Sequence, residues 1–86
     1  MTITKKDWWT YIVECSDGTL YTGITINLKR RVCEHNSSKK GAKYTRNRRP
    51  VKLVYSEIHS DRSKASKREY YIKKLSKIDK LNFIGL

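Results

Sequence analysis

Aromatic and β-branched residues crowd the first apolar block, Trp8 to Cys15, and give it the composition of a strand. The block stops at Ser16-Asp17-Gly18, a turn signal, and Thr19 to Thr25 reads as the return strand of a hairpin. The turn decides which side chains share a face. A two-residue loop at Asp17-Gly18 pairs Glu14 with Tyr21 and leaves Tyr11 and Tyr21 on opposite faces. A three-residue loop, Ser16 to Gly18 with Gly18 left-handed, pairs Val13 with Tyr21 and brings both tyrosines to one face. Gly18 stands where such a bulged turn needs it, so the three-residue loop is the expectation.

Asn27 is placed to cap a helix running through Leu28 to about Ser38. Leu28 and Val32 lie one turn apart and face inward, while Arg31 and His35, also four apart, project side by side from a neighbouring stripe. Ser37 to Arg49 holds six basic residues, one glycine and no carboxylate, and reads as a loop closed by Pro50. Lys52 to Ile58 reads as a third strand. Ser60-Asp61 opens a helix from about Arg62 to Ser76, and a last short helix carries Ile78, Leu81 and Ile84 at i, i+3, i+6. Met1 to Asp7 is a loose polar tail, and Trp8 onward forms a single domain, which is all that 86 residues allow.

Charge changes the picture. Twenty Lys plus Arg against eight Asp plus Glu give a net charge of +12, a field that attracts polyanions and speeds their encounter. Nucleic acid is the partner this implies. A membrane surface is the competing polyanion, but no stretch approaches about 20 apolar residues, and no apolar run follows Lys5-Lys6 as a signal peptide requires. The expected compartment is the cytoplasm, or the nucleoid in a bacterium. Cys15 and Cys33 suit it as small apolar residues. Together with His35 and His59 they lack the close paired spacing of a zinc knuckle.

Glu69 stands apart from the other carboxylates. Ala65 at i−4 and Ile72 at i+3 put it on the stripe that faces the body of the protein, where a carboxylate needs a cation or a metal. Arg68 or Lys73 at the rim is the structural alternative. Asp17 and Asp61 are explained by a turn and a cap, and Glu14, Glu34 and Glu57 are dispersed, so a single metal on Glu69 is easier to build than a two-metal site. Phosphodiester hydrolysis asks for an activated water, a counter-charge for the transition state and help for the departing oxygen. Arg31 suits the counter-charge, because its fork binds two phosphate oxygens at once. Tyr11 serves as a base only if its pKa falls from about 10, which a cationic neighbour such as Arg31 promotes. Taken singly, strand tyrosines pack, an arginine is solvated, His35 ends a helix and His59 merely precedes the cap of the next one; the joint pattern is what points to chemistry.

That pattern resembles the GIY-YIG nuclease domain from about Trp8 to Ile84. Tyr21-Thr22-Gly23 stands for the second half-motif, with Arg31 ten residues after the tyrosine and His35 four further. Trp9-Thr10-Tyr11 stands for the first, matching only at the tyrosine, since Trp9 replaces a glycine. The family's metal-binding glutamate falls on Glu69, within Arg68-Glu69-Tyr70-Tyr71-Ile72-Lys73; its late asparagine has only Asn82 as a counterpart. The string from Asp17 to Thr25, and Gly41-Ala42-Lys43-Tyr44-Thr45-Arg46, resemble small stand-alone bacterial members and the catalytic subunit of a eukaryotic endonuclease that cuts branched DNA. The resemblance implies an α+β fold, a three-stranded antiparallel sheet flanked by helices in the order β-β-α-β-α-α. It implies Tyr11 as base, Arg31 on the scissile phosphate, Glu69 on one Mg²⁺ or Mn²⁺ ion, and Tyr21 and His35 orienting the water. It also implies a DNA substrate, with nicks, flaps or branches in repair as the setting.

The stretch Lys39 to Arg49 is the expected substrate clamp: Lys39, Lys40, Lys43, Arg46, Arg48 and Arg49 on phosphates, with Tyr44 stacking on an unpaired base. The alternatives are a catalytically silent nucleic-acid-binding module that kept the scaffold, and a small ribosome-associated protein. The second fits the charge but leaves the inward Glu69 unexplained.

Overall fold

A computed structural model of the chain describes residues 7–85. Of the polar tail only Asp7, which is exposed, falls within them. The strands are β1 (Trp8–Glu14), β2 (Leu20–Thr25) and β3 (Lys52–His59), and the helices are α1 (Leu28–Ser37), α2 (Lys43–Arg46), α3 (Arg62–Lys73) and α4 (Lys77–Ile84). The sheet is antiparallel throughout, in the order β2-β1-β3. This is the α+β architecture expected, with one short helix added between α1 and β3.

The hairpin takes the three-residue loop. Val13 pairs with Tyr21, Gly18 sits at φ 82°, and the Cys15 N–H donates to the Thr19 carbonyl. Asp17 holds the turn by accepting from the Thr19 amide and hydroxyl. Tyr11, Val13 and Tyr21 therefore share a face, and Leu28 and Val32 of α1 pack on it against Val13, Cys15 and Val51. The opposite face carries Thr10 and Glu57, which pair with each other across β1 and β3. There the Thr10 hydroxyl donates to the Ala65 carbonyl and Arg68 meets Glu57 at 2.8 Å, which holds α3 down. The caps lie where the sequence puts them: Asn27 accepts from the Arg30 amide and Asp61 from the Lys64 amide.

Three elements differ from expectation. The long helix closes at Lys73 rather than Ser76, because Ser76 is taken as the N-cap of α4, accepting from the Asp79 amide. Ile78 is exposed, and α4 is anchored instead by Phe83, whose ring lies 4.7 Å from that of Tyr55. The stretch expected to be a loop from Ser37 to Arg49 contains α2, with Gly41 and Thr45 buried inside it. Its order comes from contacts across the chain. The Arg49 guanidinium turns inward onto the carbonyls of His35 and Ser38, both at 2.5 Å, and so caps the end of α1. Asn36 receives Val51 in a paired backbone clamp, at 2.6 and 3.0 Å.

Candidate active site

Tyr11 rises from the central strand and its hydroxyl meets His35 Nε2 at 2.8 Å. It reaches that point by passing over β2 at Gly23. A Cβ on Gly23 would stand 2.6 Å from the Tyr11 oxygen, so only glycine admits the phenol there. Tyr21 meets the same imidazole edge-on, at 5.4 Å between ring centroids. His35 is fully buried, with Nδ1 2.9 Å from the Thr45 hydroxyl and 3.3 Å from the Ala42 amide. Arg31 lies beside Tyr11, and its Nη1 is held by Glu34 at 2.9 Å and by the Lys40 carbonyl at 2.8 Å. Four of the five residues expected to act together are thus in one cluster between the hairpin and α1.

The fifth, Glu69, comes from α3. Ala65 and Ile72 beside it are completely buried, so its stripe does face the body of the protein, and the side chain is 22% exposed. Its carboxylate pairs with Lys73 at 3.3 Å, the rim partner that spacing allowed, while Arg68 is taken by Glu57. It also lies close enough to Tyr11 to push that phenol's pKa upward.

The electrostatics reverse one expectation. Burial pushes Tyr11 up to about 12, and the downward pull of Arg31 does not offset it. A cation at the phenol is present as anticipated, but removal of water from a fully buried hydroxyl outweighs it. His35 moves the other way, to about 4, through burial first and then the Arg31 and Arg49 charges, against the opposing pull of Glu34. Its imidazole is therefore neutral at physiological pH. The unfolded chain takes up a proton at the ordinary imidazole value of 6.5, so it binds more protons than the folded chain between 6.5 and about 4. Stability falls as pH drops through that window, by about 3 kcal/mol in full. Thermal melts from pH 7 to 4.5 are expected to show this loss, and His35→Gln to remove it; an unchanged slope in the variant contradicts the assignment. Glu34, Asp17 and Glu57 are held below the usual carboxylate values by hydrogen bonds and cations, so their losses come at lower pH.

The expected clamp is more ordered than a free loop. Tyr44 stacks on Tyr21 at 5.8 Å, and the Arg48 guanidinium lies 4.1 Å over its ring while bonding Asp17 and the Tyr44 carbonyl. Arg46 bonds the Lys39 carbonyl. Tyr44 is thus engaged internally rather than left open for a base, and Arg49 is a structural residue. Lys39, Lys40 and Lys43 are exposed, and Tyr44 and Arg46 retain exposed surface. Asn82 lies exposed on α4, its carbonyl accepting from Gly85. Sequence reasoning gave no role to Thr45, Ala42 or Gly41; the string from Gly41 to Arg46 was the one signal that singled them out.

No group of three or more His, Cys, Asp or Glu able to hold a metal exists among the described residues. Cys33 is exposed, Cys15 is buried, and His59 is bonded to Glu57. The donor set at the site is one partly exposed carboxylate beside a phenol. That suits a hard ion such as Mg²⁺, which keeps most of its waters and takes one or two carboxylates plus substrate phosphate.

A three-stranded antiparallel sheet with flanking helices, gathering two tyrosines, an arginine, a histidine and a helix glutamate, defines the α+β architecture of the domain. Residues 7–82 match the GIY-YIG catalytic domain, and the chain belongs to that family. It is 68% identical over 72 residues to a UPF0213 protein of Desulfotalea psychrophila, covering 84% of this chain and 66% of that protein, just under two thirds of its length. A UPF0213 protein of Syntrophus aciditrophicus is 57% identical over 76 residues, 88% of this chain and 87% of the relative. The solution structure of a UPF0213 protein from Bacillus halodurans matches with a TM-score of 0.58 at 41% identity, covering 91% of this chain and 82% of that one. The solution structure of the protein EF2693 from E. faecalis gives 0.60 at 41% identity, with 95% of this chain and 88% of that one covered. No helix among the described residues is long and apolar enough to cross a membrane.

Proposed function

We propose that this chain is a metal-dependent endonuclease that hydrolyses DNA phosphodiester bonds, with nicked or branched DNA as the repair substrate. The observation that carries the reading is the meeting of Tyr11, His35, Tyr21 and Arg31 in one cluster, with the Glu69 carboxylate near enough to act on the Tyr11 hydroxyl. In this reading the Tyr11 phenolate takes the water's proton as the water oxygen bonds to phosphorus, and the bond to the leaving sugar oxygen breaks with that oxygen protonated from solvent. Arg31, steadied by Glu34 and Lys40, holds the phosphate oxygens on which charge grows. Tyr21 and His35 fix the phenol and orient the water. Glu69 would hold one divalent cation, which would supply positive charge for activating the water and polarising the phosphate. Arg31, which draws the Tyr11 pKa down, is the chain's own counter-weight to the burial that keeps the phenol protonated.

Phosphates on either side of the cut are held by Lys39, Lys40, Lys43 and Arg46, with Arg48 and Tyr44 shaping the wall between them and the hairpin. Each lysine displaces counter-ions on binding, so replacing Lys39, Lys40 and Lys43 by Ala is expected to flatten the salt slope of log affinity by about 3. Affinity titrations on duplex DNA from low to moderate salt measure it, and an unchanged slope removes these residues from the interface. Plasmid nicking across a Mg²⁺ titration tests the chemistry itself.

A second reading is a nucleic-acid-binding module that kept the scaffold without the activity. The Glu69–Lys73 pair at 3.3 Å and the raised Tyr11 pKa favour it, because both describe a site at rest rather than one primed for cutting.

A further inference from the structure

The turn after α1 fixes the direction of the hydrogen bond on which Tyr11 depends. His35 has three polar neighbours: the Tyr11 hydroxyl at Nε2, and the Thr45 hydroxyl and Ala42 amide at Nδ1. The two hydroxyls rotate and serve as donor or acceptor. The Ala42 hydrogen does neither, since the peptide plane fixes its position and a backbone N–H only donates. It points at Nδ1.

We propose that the segment from Gly41 to Thr45 holds His35 as the neutral tautomer protonated on Nε2, so that His35 donates a hydrogen bond to the Tyr11 oxygen instead of receiving the Tyr11 proton. Thr45 and Gly41 are positioning residues in this arrangement. The opposite tautomer would set the Nδ1 hydrogen against the Ala42 hydrogen. In that tautomer the Thr45 hydroxyl would accept from Nδ1 while donating to the Ala42 carbonyl, 2.9 Å away, which has room for it beside the Thr45 amide at 3.0 Å. The fixed Ala42 hydrogen is what decides against it. The Thr45 hydroxyl lies 2.9 Å from both Nδ1 and the Ala42 carbonyl, and with Nδ1 bare its single hydrogen turns from the carbonyl to the ring and joins the Ala42 amide there.

Gly41 makes the approach possible. A Cβ at this position would stand 2.6 Å from the Glu34 carbonyl oxygen and 2.9 Å from His35 Cα, both backbone atoms of α1 that have nowhere to go. Only glycine lets the turn settle onto the helix end and bring the next amide to the imidazole. Burial keeps the ring neutral, at a pKa of about 4, so it is one tautomer and not the doubly protonated cation that sits on Tyr11.

The consequence is specific. The Tyr11 oxygen faces donors from His35 and from the Arg31 side, which stabilise its phenolate, and its own proton is not taken up by His35. This deepens the proposed reaction and rests on that reading only for its catalytic meaning, because the tautomer can be measured without DNA or metal.

Long-range ¹H–¹⁵N correlation spectra of the labelled full chain at pH 7 test it, with His59→Gln used to assign the two histidines. The expected result for His35 is a proton-bearing Nε2 and a bare Nδ1. A proton on Nδ1 overturns the proposal. Thr45→Val is expected to move both ring shifts toward the average of the two tautomers, and Thr45→Ser to restore the wild-type pattern. Wild-type shifts in folded Thr45→Val remove Thr45 from the role. If Thr45→Val does not fold, the wild-type spectrum still decides the tautomer, and the Thr45→Ser spectrum decides the hydroxyl: shifts unlike wild type there also remove it. Failure of DNA cleavage leaves these spectra unaffected, so the two readings fail separately.

Discussion

Tyr11→Phe is expected to slow metal-dependent cleavage by roughly 10²–10⁴-fold while duplex affinity stays near that of the wild type. The loss follows from removing the only hydroxyl of the cluster that lies on the central strand and bonds His35 directly. The substitution keeps the ring that fills the core against Val13, so the fold survives. It is not free, however. Burying His35 Nε2 without its partner costs about 1–3 kcal/mol, which thermal melts will register. Because the metal-free phenol stands at about 12, the wild-type rate is expected to climb with pH through neutral and alkaline conditions, and this dependence to vanish in the variant. Single-turnover rates against pH measure both. Wild-type turnover in Tyr11→Phe excludes the phenol as the proton acceptor.

The second large effect is at Glu69. Replacement by Ala is expected to remove Mg²⁺-dependent cleavage by at least about 10³-fold, since loss of the metal's charge on the phosphate is worth several kcal/mol. The structural cost is small: the Lys73 pair is partly exposed and worth under about 1 kcal/mol. DNA affinity should hold or rise slightly, because a negative charge leaves an already cationic protein. Binding isotherms beside cleavage rates separate the outcomes. Equal loss of binding and cutting assigns Glu69 a structural role.

The hairpin was readable because one residue decided it. Gly18 demands the bulged loop, the loop sets the register, and the register puts Tyr11 and Tyr21 on the face that α1 covers. Spacing likewise placed Arg31 and His35 together, and put Glu69 on the stripe between Ala65 and Ile72. What sequence could not show was carried by contacts distant along the chain. Ser37 to Arg49 reads as a solvated basic loop, yet Arg49 bonds α1 carbonyls and Asn36 grips Val51, which orders the segment. The direction of the Tyr11 shift was equally hidden. A neighbouring cation is visible in the spacing, whereas the depth of burial that outweighs it exists only once the strands, α1 and the Gly41 turn have closed around the phenol.

The central claim is that one DNA linkage is gripped by Arg31 and cut between Tyr11 and Glu69. Incubating branched and linear DNA with the chain, with and without Mg²⁺ or Mn²⁺ and beside Glu69→Ala, tests it most directly. The account predicts strand breaks only for the wild type and only with a divalent metal. Tight binding with no cleavage under any metal, or equal cleavage by Glu69→Ala, contradicts it.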